Sequence, residues 1–99
     1  MSLEDIDFLS DTTESTTTRF VCFISAELRR FDLAITTTNH FYGKKMVVDL
    51  QSGKMALIGP DDLSEPGYLE HAFKLTEEEA HEMRDFLESV VGTLSFSDD

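Results

Sequence analysis

The stretch Asn39-His40-Phe41-Tyr42-Gly43-Lys44-Lys45 concentrates the recognition chemistry of this chain. It sets two aromatic rings beside the one lysine pair of a protein whose formal net charge is −12. Exposed aromatics next to cations are the material of protein-recognition surfaces, and aromatic faces also stack on nucleic-acid bases. A purely structural reading stands beside this one: Phe41 or Tyr42 covers the end of the core, and the lysines keep an edge strand soluble. A second polar cluster, Asp61, Asp62 and Glu65, lies in the turn-rich segment from Gly59 to Gly67. If the two segments share a rim, they make one bipolar contact surface. The sequence alone leaves open whether they do.

Catalytic and metal patterns are weaker. The histidines are His40, His71 and His81, with no i, i+4 pair and no Cys-x-x-Cys. His40 or His71 could still meet Asp61 and Asp62 in space, which keeps a small enzyme or metal-dependent protein as an alternative. We assign no catalytic residue, metal ligand or cofactor. His71 is expected to be half buried and His81 to face solvent from a helix. Cys22 is expected to be buried as a small hydrophobe, because a reactive thiolate needs an accessible, electropositive setting. Gly53-Lys54 lacks the spacing of a phosphate loop, and no Gly-x-Ser-x-Gly elbow exists.

Charge narrows the partners. Residues 1–14 hold five acids and no base, residues 15–58 hold six bases and three acids, and residues 59–99 hold twelve acids and two bases. Both flanks repel polyanions, so nucleic acid and anionic membrane surfaces are disfavoured. Only the mildly basic middle leaves nucleic-acid binding as an alternative. With one cysteine there is no internal disulfide. The acidic start lacks the pattern of a signal peptide, and no apolar run approaches a membrane span. The expected compartment is the cytoplasm.

The elements that must position these residues follow from periodicity. Phe20 to Ile24 is continuously apolar and predicts a central strand buried on both faces. Phe31, Leu33, Ile35 and Thr37 fall on one face of an alternating run, which predicts a half-buried strand. Lys45–Leu50 and Lys54–Ile58 flank a short glycine-bearing loop and predict a hairpin. All these connections are too short for parallel crossovers, so the sheet should be an antiparallel meander. Ile6 and Phe8 alternate with acids and suit a short edge strand, and 59–67 reads as loop. Tyr68–Leu75 fits strand and helix periods equally; we favour a strand over His71–Leu75. Thr76 and Glu79 form a capping box, three glutamates load the first turn, and Ala80, Met83, Phe86, Leu87, Val90 and Val91 make an apolar stripe that ends at Gly92.

The predicted architecture is therefore α+β: an antiparallel sheet of four to five strands with one C-terminal amphipathic helix packed on one face. Residues 1–18 are expected to form an acidic, Thr-rich, partly loose segment, 19–92 the domain, and 93–99 a short acidic tail whose Leu94 and Phe96 could dock on the domain. The phrases Arg30-Phe31-Asp32-Leu33-Ala34-Ile35, Thr38-Asn39-His40-Phe41-Tyr42-Gly43-Lys44, Gln51-Ser52-Gly53 and Pro66-Gly67-Tyr68-Leu69-Glu70-His71-Ala72 resemble a family of short uncharacterised cytosolic proteins of low-GC Gram-positive bacteria. The resemblance spans Arg19 to Val91. It implies a bacterial, cytosolic, single-domain protein and carries over no activity or site residue. The function expected from the residues is a small non-catalytic interaction or regulatory module that binds another protein. A homodimer is compatible with it.

Overall fold

The computed structural model describes residues 6–92. Four strands, β1 (Thr17–Ile24), β2 (Arg30–Thr37), β3 (Lys45–Asp49) and β4 (Met55–Ile58), form one sheet in that order. Each is antiparallel to the next. Three helices follow, α1 (Pro60–Leu63), α2 (Tyr68–Phe73) and α3 (Glu77–Leu87), and α3 runs on into a π-helical segment, Glu88–Gly92. The architecture is the α+β meander that the sequence predicts.

One face of the sheet carries the core. Phe31, Leu33, Ile35, Val47 and Ile58 alternate along their strands and are buried. Against them pack Leu63 of α1, Leu69 and Phe73 of α2, and Ala80, Met83 and Leu87 of α3. The Phe86 ring lies tilted against Phe23, ring centres 4.9 Å apart, which sets α3 against β1. Each large side chain fully buried here contributes about 1.5–3 kcal/mol. The start of α3 is set locally. Thr76 Oγ1 accepts from the Glu79 N–H at 3.1 Å, and Glu79 Oε1 accepts from the Thr76 N–H at 3.0 Å. That cap contributes about 1 kcal/mol.

Several expectations are corrected. The β1 strand is an edge strand, not a central one. Its Val21 and Phe23 are half buried toward the helices, whereas Phe20, Cys22 and Ile24 are exposed. An uninterrupted apolar run looks the same whether its second face is covered or bare, and here the helices cover only one. Cys22 is therefore not a core residue. Residues 68–73 are helical rather than a strand from His71. Gly67 at φ 81° and Lys74 at φ 57° bound the turn and a half, which buries Leu69 and Phe73 four apart. His71 consequently points to solvent instead of being half buried. The 59–67 loop contains α1, opened by Pro60 at the first helical position, where proline costs no hydrogen bond. Ile6 and Phe8 lie in no strand. Leu94 and Phe96 lie outside the described residues. No described helix is long and apolar enough to cross a membrane.

Candidate functional site

The β2–β3 connection is built from two clusters, back to back. On one side, Glu14 reaches in from the N-terminal segment. Its Oε2 accepts from Thr38 Oγ1 at 2.6 Å and from the Asn39 N–H at 3.0 Å, and its Oε1 lies 2.6 Å from His40 Nδ1. The Thr38 hydroxyl, then the Asn39 N–H, hold the Glu14 carboxyl below its ordinary range. Thr38 Oγ1 in turn accepts from the His40 N–H at 3.2 Å, which starts the turn.

The tip follows. The Lys44 N–H donates to the Phe41 carbonyl at 3.0 Å, closing a four-residue turn. Both central residues have positive φ, Tyr42 at 55° and Gly43 at 87°. Glycine takes that conformation freely; a tyrosine pays strain for it, because its Cβ crowds the backbone. Tyr42 is nevertheless 100% exposed, so none of the described residues packs against its ring. Phe41 is half buried, with its ring centre 6.1 Å from that of His40.

On the other side the turn is tied to α1. Lys44 Nζ lies 3.0 Å from Asp62 Oδ2, and the same oxygen accepts from the Gly59 N–H at 2.8 Å. Asp62 raises the Lys44 pKa through that bond. The lysine stem runs along Gly59 so closely that a Cβ there would meet Lys44 Cγ at 3.1 Å. Tyr68 donates from its hydroxyl to the Leu57 carbonyl at 2.8 Å, and burial raises its pKa. The result is a cleft of ≈ 390 Å³ between the turn and α1, with Tyr42, Lys44, Lys45, Pro60 and Asp61 in its walls. Lys45 Nζ donates across to Thr37 Oγ1 at 3.0 Å.

The structure thus brings Tyr42, Lys44, Lys45, Asp61 and Asp62 onto one rim. Asn39 and His40 belong to the adjoining Glu14 cluster, and Glu65 lines a separate hollow of ≈ 800 Å³ with Arg84 and Glu70. His40 faces Glu14, not Asp61 or Asp62. Among the described residues, no group of three or more His, Cys, Asp and Glu is arranged to hold a metal ion.

Sequence reasoning missed two anchors. Glu14 looked like one acid among many in a polar tract. The other is Arg29, whose Nη1 donates to Glu79 Oε2 at 3.2 Å while Nη2 lies 3.8 Å from Asp49 Oδ2 and the guanidinium sits 4.9 Å from the Phe31 ring centre. Asp49 is 1% exposed on the core side of β3. An acid at an inward position of an alternating strand was the available signal for it.

No curated protein matches the chain. Its residues 9–89 match the family model described as SAV0927-like, a family of unknown function, and the chain belongs to that SAV0927-like family.

Proposed function

We propose that this protein is a small non-catalytic interaction or regulatory module of the bacterial cytosol, and that it binds another protein through the rim of the β2–β3 turn and α1. The observation that carries this reading is Tyr42: a fully exposed aromatic ring on a left-handed backbone, beside the Lys44–Asp62 pair. The two-residue turn closed by the Lys44 N–H requires positive φ at position 42, where glycine or asparagine would cost least; a tyrosine kept there with its ring exposed motivates a functional reading, and tyrosine is among the residues that dominate binding energy. The cations of the strand region support a protein partner over nucleic acid. Four of that region's six cations are engaged within the chain: Arg29, Arg30 and Lys44 each face a carboxylate, and Arg19 lies over the Phe86 ring. Lys45, which donates to Thr37, and Lys54 remain, and two lysines make no basic stripe for phosphates to follow.

Affinity capture from bacterial cytosol tests the reading, comparing the parent with Tyr42→Ala and Lys44→Glu. A stoichiometric protein retained by the parent and lost by both folded variants supports it. Equal retention by all three contradicts it.

A further inference from the structure

The helices leave the second face of the sheet bare, and that face is apolar. Register places Phe20, Ala34, Val48 and Met55 in one row across all four strands. Met46 and Leu57 stand in the neighbouring row, and Ile24 extends the face along β1. Phe20 is 71% exposed, Ile24 66% and Met55 46%. Strand spacing and rise give the patch a projected area on the order of 400 Å², before side-chain relief adds to it. The largest apolar patch of an ordinary monomer is of that order and is often functional, and it would supply about half of the ~800 Å² per partner of a standard interface.

We infer that this face is the dimer interface of the protein, stacked sheet on sheet against the same face of a second copy. Two observations select a second copy as the occupant. The first is charge. The face carries one acid, Asp32, which is already held by Arg30 at 3.0 Å and by the Gln51 side-chain amide at 2.9 Å. Its Thr18 and Thr36 hydroxyls bond each other at 2.8 Å. The face therefore meets its own copy without an unpaired like charge. The acid-rich segment beyond residue 58 lies in the helical layer on the far side. Stacked sheets sit ~10 Å apart, so the two helical layers stay separated by more than the ~8–10 Å over which charge acts in physiological salt. The second observation is shape. The apolar row is bordered by the internally paired Arg30 and Asp32 and by the Thr18–Thr36 pair; a flat face of this kind presents no unpaired charge to orient a dissimilar partner and can stack on its own copy across a two-fold axis, the commonest symmetry of soluble oligomers. The dimer leaves both Tyr42 rims free.

Sedimentation velocity from about 1 to about 100 µM, the range that spans an ordinary dimer affinity, reads the oligomeric state of the parent, Phe20→Lys and Met55→Lys. Thiol labelling of Cys22, which lies on the same face, is followed in parallel. The expected result is a parent dimer whose Cys22 labels about tenfold more slowly at the top of that range than at the bottom, as the dimer population rises. Both lysine variants should be monomers with parental circular dichroism and fast labelling throughout. A parent that stays monomeric at the top of the range overturns the proposal. So does a dimer that leaves Cys22 fully reactive, which would indicate pairing along the free edge of β1. A dimer lost in Phe8→Ser/Leu9→Ser but kept in Phe20→Lys and Met55→Lys would instead assign the contact to the N-terminal segment and equally overturn it.

Discussion

Lys44 Nζ sits 3.0 Å from Asp62 Oδ2, and this one contact joins the turn between β2 and β3 to the first helix after the sheet. Its two partners are unequal. Asp62 also accepts the Gly59 N–H, so it caps α1 as well as pairing Lys44. Asp62→Ala should cost about 1–2 kcal/mol in chemical denaturation, the range of a lost helix cap. Lys44→Met, which removes an exposed partner, should change the denaturation midpoint far less. Equal losses from both substitutions would show that the ion pair, not the cap, sets the stability of the rim.

Arg29 is the only cation described beside the buried Asp49 carboxylate, and it also holds Glu79 at the head of α3. Removing Arg29 leaves the Asp49 carboxylate desolvated with no cation beside it, held only by the Gln51 N–H at 3.0 Å from its Oδ1. Arg29→Ala should therefore destabilise by about 3 kcal/mol. Arg29→Met combined with Asp49→Leu should recover part of that loss, since apolar replacement of both partners removes the unpaired charge while the Gln51 N–H loses its acceptor. Urea denaturation of the two variants checks the claim; a double variant as unstable as Arg29→Ala contradicts it.

Acid should loosen the Glu14 cluster. Hydrogen bonds from Thr38 and Asn39 lower the Glu14 pKa below its ordinary 4.5. The folded state then binds this proton less readily than the unfolded chain. The contribution is full above pH 4.5 and is lost as pH falls through the lowered value. Glu79, lowered chiefly by the Thr76 N–H, acts in the same direction. Glu14→Gln should flatten the fall of Tm between neutral pH and about pH 3 relative to the parent. Parallel Tm–pH curves for the two proteins would contradict this.

The parts of the fold legible in the sequence are those fixed by local chemistry. The capping box of Thr76 and Glu79 is read from four residues, and the short connections between strands already demand antiparallel pairing. Residues 68–75 were not legible, because six to eight residues fit both periods. What decides them is tertiary: the left-handed backbone at Gly67 and Lys74, and the burial of Leu69 and Phe73 together. The exposure of Cys22 was hidden for a similar reason, since composition cannot count the layers that cover a strand. Of the rim, residue types were readable but proximity was not. Lys44 and Asp62 are brought together by the β3–β4 hairpin, and Glu14 reaches Asn39 from 25 positions away.

Tyr42 carries the central claim, because a residue kept for binding at the expense of folding separates the two quantities. Once the captured partner is in hand, its affinity for the parent and for Tyr42→Gly should be measured by calorimetry, alongside Tm. The account predicts that glycine relieves the positive φ and raises Tm by roughly 2–4 °C, after allowing for its greater freedom in the unfolded chain. Binding should weaken about tenfold or more, as for other exposed aromatic anchors. Unchanged affinity, or binding and Tm falling together, would contradict a binding role for the rim.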